Sequence, residues 1–337
     1  MGFDEQFGPT LGMSLRGRDL WLHPDDLDAP SEPFEEIHYE GWSAPLYGAV
    51  GIDRMVVAKD DVSVVMQGRL DMVREGVGLD VSLSGRGASA DDIKRLWPYL
   101  FAPEGREWFT AYVADGTVGS ADMRFRFPVG TIALDGEPRP MPEGALQIDL
   151  VGNGVQLRQL EGVPEFQVDG EARLTMRDNQ LTMAFERANL TEFGDAVSIS
   201  NAAYINQDVS AGEQVFEISG DVSGPVPAIL DVVTSDTLNL LEDFDFGIDP
   251  GALAQDLTGS VAGTVIATIE TDDTGQLMGT DYALNGSISD MASARPIQGV
   301  NFSDADLTFT ASQAGFRVVG AASVGEARVD LEAEQSG

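Results

Sequence analysis

Apolar and polar residues alternate along most of this chain. Val62, Val64 and Met66 are separated by single residues, as are Leu79, Val81 and Leu83, then Met123, Phe125 and Phe127, then Leu146, Ile148 and Leu150. The pattern returns at Leu174 and Met176, at Leu181, Met183 and Phe185, and at Phe216 and Ile218. Further on, Val265 and Ile269, then Leu307 and Phe309, continue it. A period of two sends alternate side chains to opposite faces of a strand. One face is then apolar and the other polar, as in antiparallel strands with one wet side. Arg177-Asp178-Asn179-Gln180 and Asp272-Asp273-Thr274-Gly275 sit between alternating runs and read as hairpin turns. The expected fold class is mainly β, an antiparallel meander with a few short amphipathic helices.

Helical signals are few. Ser89 precedes Ala90 to Trp97, and Asp92 stands at the capping-box offset. Ile93, Leu96, Trp97 and Leu100 share one predicted face, and Pro98 is expected to end or kink that helix. A second helix is expected from Pro103, carrying Trp108, Phe109 and Tyr112, and a third over 225–243. A short turn is expected near Asp249 to Leu257. The chain therefore reads as strands over 1–88, helices over 89–114, strands over 117–220, a helix over 225–243 and strands over 258–334. This divides into an amino-terminal part (1–88), a central region (89–243) and a carboxy-terminal continuation (244–337). No Ser-, Pro- or Gly-rich linker separates them, so one continuous sheet is expected.

Charge changes the picture of partners. The 337 residues hold 56 acidic and 20 basic side chains, a formal net charge of −36. A surface this negative repels phosphate, which excludes nucleic-acid binding through a basic face and adsorption through a polybasic patch. There is no cysteine, which excludes disulfides, thiolate metal sites and cysteine nucleophiles. No apolar run reaches the length of about 18 residues needed to cross a bilayer as a helix. Met1-Gly2-Phe3-Asp4 does not open a secretory leader, so the chain is expected to be cytoplasmic or a piece of a longer protein.

Candidate chemistry is thin. His23 and His38, with Asp25, Asp26, Glu35 or Glu36 nearby, lack metal-ligand spacing and read as loop imidazoles. Asp243, Asp245 and Asp249 alternate as in calcium loops, yet the twelfth-position glutamate is missing. Gly152-Asn153-Gly154 reads as a lone turn. No nucleophile elbow, zincin motif or phosphate loop is present. We therefore assign no catalytic residue, metal or cofactor, and expect no enzyme. Trp97, Phe101, Trp108, Phe109 and Tyr112 form an aromatic group that suits helix-to-sheet packing or an apolar anchor.

One resemblance adds function. Asp92-Ile93-Lys94-Arg95-Leu96-Trp97-Pro98, then Ala102-Pro103-Glu104-Gly105-Arg106-Glu107-Trp108-Phe109, then Gly116-Thr117-Val118, resemble the central region of the YhdP-like branch of the AsmA-like superfamily. Leu96, Trp97, Pro98, Arg106 and Trp108 carry the helical part of that motif. Gly154-Val155-Gln156-Leu157, Gly162-Val163-Pro164, Ser223-Gly224-Pro225 and Leu257 to Gly263 are similar in order and spacing, so the likeness covers about residues 60 to 330. It implies a long, curved, groove- or taco-like sheet in the periplasm of a Gram-negative bacterium. It also implies inner-membrane anchoring through an amino-terminal helix absent from this sequence, and phospholipid passage to the outer membrane in support of its integrity. Unidentified envelope proteins are possible partners. At roughly 4.8 Å per strand, some fifteen strands would give a trough on the order of 70 Å. The alternating apolar residues named above would then line it and meet acyl chains. The same alternation suits a closed β-sandwich binding or adhesion module, or a scaffold, and these alternatives stand open at this point.

Overall fold

The alternating segments form strands, and the strands join in one large antiparallel sheet that holds 67% of the residues in strands against 11% in helices. The computed structural model describes residues 2–97, 103–132, 139–159, 164–235, 250–272, 277–297 and 299–336. Its contacts divide the chain into two units, residues 1–155 with 172–182, and residues 156–171 with 183–337.

The first unit is a meander of β1 (Gly2–Asp4), β2 (Gly8–Leu20), β3 (Phe34–Ala44), β4 (Ala49–Lys59), β5 (Val62–Val73), β6 (Gly76–Arg86) and β7 (Val113–Ile132). Each of these pairs antiparallel with the next in the chain, β6 with β7 across the helices. Between β6 and β7 stand α1 (Ala90–Leu96) and α2 (Pro103–Tyr112). Next come β8 (Leu146–Leu157), β9 (Phe166–Val168), β10 (Glu171–Arg177) and β11 (Gln180–Leu190), with the unit boundary falling inside β8 and β11. The second unit continues with β12 (Ser198–Asn206), β13 (Gln214–Pro225), α3 (Val226–Val233), α4 (Pro250–Leu253) and β14 (Leu257–Thr271). It ends with β15 (Leu277–Ser293), β16 (Ser303–Ser312), β17 (Gly315–Val324) and β18 (Ala327–Ser336). From β12 to β18 every strand pairs with its chain neighbour, β13 with β14 across the helices.

The capping box forms as read. Ser89 Oγ accepts the Asp92 amide at 3.1 Å, and Asp92 Oδ2 accepts the Ser89 amide at 3.1 Å. The buried residues of α1 correct the sequence reading, because Ala90, Asp92, Lys94 and Arg95 are buried while Ile93, Leu96 and Trp97 are half-buried. Charged side chains go inside here because each finds a partner, as described below. The third helix is shorter than expected: it ends at Val233, where Thr234 and Ser235 turn their hydroxyls back onto the Leu230 and Val232 carbonyls. Gly152-Asn153-Gly154 is not a turn between strands but lies inside β8, with Gly154 at φ 60°. Pro98, Leu100, Phe101, Gly162, Val163, Leu240, Leu241, the Asp243–Asp249 segment and Gly275 lie outside the described residues.

Left-handed backbone, in turns at Asp60, Asp178 and Asp195 and within strands elsewhere, accounts for part of the acidic excess. Among the described residues, those with left-handed backbone that are not glycine are Asp19, Asp60, Asp178, Asp195, Asn201, Asp290 and Asp304. Short carboxylate and amide side chains tolerate that region because they bond to local backbone. At Asp178 the side chain accepts the Gly144 and Leu146 amides at 2.7 and 3.1 Å, which holds its carboxyl below the usual aspartate range.

Candidate functional site

Residues directly opposite in an antiparallel ladder share a face. In the first unit this rule yields continuous rows. One row runs Leu15, Tyr39, Met55, Met66, Leu83, Met123 across β2 to β7. A second runs Leu11, Ser43, Val50, Leu70, Leu79, Phe127, and a third runs Met13, Gly41, Ile52, Gly68, Val81, Phe125. Val64 lies in a fourth, between Val57 and Gly85. The opposite face is mixed: Arg69, Asp80 and Arg126 stand abreast, as do Gln67, Ser82 and Arg124, while Trp42, in the row of Arg69, packs with Phe7, Tyr47, Ala44 and Ala49. A shallow depression of about 240 Å³ is lined by Gln67, Gly68, Arg69, Asp80 and Ser82.

The second unit repeats the arrangement. Gly220, Val265, Leu284, Ala311 and Phe316 form one row, and Gly224, Val261, Ile288, Leu307 and Gly320 another. Phe309 lies between Gly286 and Val318. Phe216 pairs with Ile269, and Ile218 with Ala267. Tyr204 packs on Phe216 with ring centroids 5.3 Å apart, and its burial pushes the phenol pKa up. The reverse face carries Asn201 and Thr264, both donating to Asp221 at 2.7 Å, which lowers its pKa.

The structure thus brings together Val62, Val64, Met66, Leu79, Val81, Leu83, Met123, Phe125 and Phe127 on one face of the first unit. Phe216, Ile218, Val265, Ile269, Leu307 and Phe309 share one face of the second. Leu146 is buried on β8 and Ile148 half-buried, while Leu150 packs against the cluster of Val62, Ala88, Val118 and Ala121. Leu174 and Met176 on β10, and Leu181, Met183 and Phe185 on β11, are half-buried, and Phe185 stands 5.6 Å from Phe166. Sequence reading missed Tyr39, Met55, Val50 and Ile52. The bulge between Ile52 and Met55 keeps these two on one face although they are three residues apart, so strict alternation fails there.

The faces are only partly covered. Leu79, Val81 and Leu307 are buried, but Met66, Leu83, Met123, Phe125, Phe127, Val265, Ile269 and Phe309 are half-buried. Within each unit, strands pack along the ladder, and short helices lie against them. In the first unit, Ile93 of α1 joins Val64, Met123 and Leu150 over the Val62 cluster. In the second, Val232, Ala228 and Ile229 of α3 pack with Leu190, Val197 and Val222.

A charged clamp holds α1 and α2. Arg106 Nη1 and Nη2 donate to the Asp26 carboxylate at 2.5 and 3.2 Å. The same guanidinium reaches the Trp97 carbonyl at 3.3 Å and the Lys94 carbonyl at 3.2 Å. Arg95 donates to Asp91 at 2.7 Å and to the Leu22 and Asp28 carbonyls at 3.3 and 3.0 Å. Lys94 Nζ donates to Val113 O at 2.6 Å. The loop between β2 and β3 is thereby tied to both helices. Of the motif residues, Arg106 is therefore a structural tie, Trp97 pairs with Phe109 at 6.0 Å, and Trp108 pairs with Tyr112 at 5.7 Å while remaining 41% exposed. Leu96 is half-buried.

The histidines serve locally: His23 Nε2 lies 3.0 Å from Leu27 O, and His38 Nε2 lies 3.2 Å from Glu40. Among the described residues no group of three His, Asp or Glu side chains is placed to hold a metal, and no helix is long and apolar enough to cross a membrane. No family model, curated protein or solved structure matches this chain.

Proposed function

We propose that this chain is a non-catalytic lipid-binding segment whose apolar sheet face receives acyl chains. In this reading it is part of a periplasmic, inner-membrane-anchored protein of the AsmA-like type, YhdP-like branch, that conducts phospholipid between the inner and outer membranes. The observation that supports the reading is the register: apolar side chains stand abreast over six strands of the first unit, buried at Leu79 and Val81, half-buried at Met66, Leu83, Met123, Phe125 and Phe127, and exposed at Leu11, Met13 and Leu15. Six strands at about 4.8 Å make a floor on the order of 24 Å wide. Each methylene that leaves water for such a floor gains about 0.8 kcal/mol. A face meant to receive a second sheet would bury the same residues in interdigitated packing. Headgroups would remain at the wet rim.

The test is mass spectrometry of the organic extract of the purified chain. Stoichiometric phospholipid is expected. Phe125→Asp in the first unit, and Met183→Asp in the second, should lower the lipid content while the far-ultraviolet circular dichroism is retained. A lipid-free extract from a folded protein would overturn the proposal and favour a binding or scaffold module.

A further inference from the structure

We infer that the mixed face of the first unit carries a binding site for a small free zwitterion, in which an oxyanion and an ammonium lie close together. The site is built on Arg69, whose side chain is fixed from two sides. Its Nε donates to Asp71 Oδ2 at 2.9 Å, and its guanidinium carbon stands 4.9 Å from the centroid of the Phe7 ring. The Asp71 side chain is 5% exposed, and its Oδ1 has no hydrogen-bond partner among the described residues. Its buried charge therefore leans on Arg69 and holds that guanidinium in place. Arg69 is 34% exposed and lines the depression with Gln67, Gly68, Asp80 and Ser82. Among the described residues its two Nη groups bond to no acceptor. A guanidinium held through Nε presents its outer fork to an oxyanion.

The neighbouring charges define the ligand. On β7, Arg126 stands directly opposite Asp80, and Arg124 directly opposite Ser82. Asp80 thus lies between Arg69 and Arg126 in one row. Opposite charges so placed ordinarily close into pairs. Here the side chains of Asp80, Arg124 and Arg126 are exposed, and among the described residues they form no ion pair or hydrogen bond. Asp71 and Asp122 share this face, so around the depression three arginines meet three carboxylates. A ligand of one sign gains little from so balanced a patch. A ligand that carries both signs gains from each. The arginines take its phosphate or carboxylate, Asp80 takes its ammonium, and Gln67 and Ser82 add neutral hydrogen bonds. The Trp42 indole lies over Gly51, beside Arg69 in the same row, and walls one side. Side chains alternate across the sheet, so Met66, Leu70, Leu79 and Val81 face the other way. A lipid lying on that apolar floor does not bring its headgroup here. The ligand is therefore a free small molecule, and the site stands independently of the trough.

The experiment titrates the full chain with O-phosphoethanolamine, glycine, inorganic phosphate and ethanolamine. Nitrogen-15 signals of the Arg69, Arg124 and Arg126 Nε–H groups and of the Trp42 indole report binding. Either zwitterion is expected to saturate them with a dissociation constant on the order of 1 mM. O-phosphoethanolamine as the tighter of the two supports a phosphate ligand, and glycine as the tighter supports a carboxylate. Phosphate and ethanolamine, which each fill half the site, should bind at least about tenfold more weakly than the tighter zwitterion. Arg126→Gln should weaken the zwitterion about tenfold or more, since a charge-assisted bond is lost. Asp80→Asn should act in opposite directions: it weakens the zwitterion and strengthens inorganic phosphate, from which a repelling charge has been removed. Both side chains are exposed, so circular dichroism should report an intact fold. Absence of saturable shifts overturns the site, and so do shifts that Arg126→Gln leaves unchanged. Phosphate binding as tightly as the zwitterions, or unaffected by Asp80→Asn, overturns the zwitterion. Vesicles of phosphatidylethanolamine that displace the bound zwitterion overturn the assignment to a free molecule.

Discussion

Arg106→Ala removes at least four donated hydrogen bonds with one substitution. Two of them go to Asp26, one to the Lys94 carbonyl and one to the Trp97 carbonyl. The Arg106 side chain is 6% exposed, whereas that of Asp26 is 39% exposed. The ion pair itself is therefore partly screened, and its coulombic share is discounted to about 1 kcal/mol or less. The larger loss is at the end of α1, where two carbonyls forfeit a donor at about 1 kcal/mol each and the helix loses a cation at its negative pole. Together the expected cost is about 3 kcal/mol, roughly a hundredfold in local opening. Because the chain has two units, the assay is amide hydrogen exchange, read at Ile93 and Trp97, whose amides bond within the helix. Their exchange should accelerate together with that of residues 21–33. Arg106→Lys should recover less than half, because an ammonium cannot fork between carboxylate and carbonyls. Exchange within threefold of wild type in Arg106→Ala would refute the clamp.

Three further outcomes follow from the same geometry. A Cβ at Gly286 would stand 2.5 Å from the Phe309 ring and 2.7 Å from the Ala262 carbonyl, so Gly286→Ala should destabilise the second unit by about 1–3 kcal/mol in urea unfolding. Asp178 titrates below its ordinary value, so its contribution to stability is complete at neutral pH and declines only as pH falls below about 4, through the lower folded value. Carbon-13 titration of its carboxyl should show the depressed midpoint, and Asp178→Asn should remove the associated acid sensitivity of the Gly144 and Leu146 amides. The second unit holds 29 of the 56 acidic but five of the 20 basic residues. Raising ionic strength should therefore slow exchange in its strands more than in those of the first unit, since screening relieves self-repulsion. An equal or opposite response would exclude charge repulsion as a limit on that unit.

What the sequence made legible was set by period and by local bonding. Alternation located Leu79, Val81, Leu83 and their neighbours on one face because β5 and β6 pair without a bulge. It failed on β4, where the bulge between Ile52 and Met55 breaks the period. The Ser89–Asp92 box was legible because its partners are three residues apart. Burial of Lys94, Arg95 and Arg106 was not, because charge ordinarily reads as solvent-facing, and partners come from far along the chain: Val113 O for Lys94, Leu22 O and Asp28 O for Arg95 beside its near neighbour Asp91, and the Asp26 carboxylate, 80 residues away, for Arg106. The early end of α3 at Val233 was hidden for a similar reason: Thr234 and Ser235 bond backward instead of continuing the helix.

Aromatic residues set against glycine decide what kind of floor these faces make. On the apolar face of the first unit, the Tyr39 ring occupies the space a side chain at Gly41 would fill, and its hydroxyl donates to Gly51 O at 2.9 Å. In the second unit the Phe309 ring lies over Gly286 in the same way. A ring laid along the sheet covers backbone without projecting far from it. Faces that mate with another sheet need the opposite, branched side chains standing up to interlock. The glycines along these rows, at positions 41, 68, 85, 220, 224, 263, 286 and 320, therefore keep the floor low where a packed sandwich would raise it. A low apolar floor suits a mobile occupant that is apolar along its whole length. That fit is why an acyl chain, more than a second protein layer, is the occupant we propose.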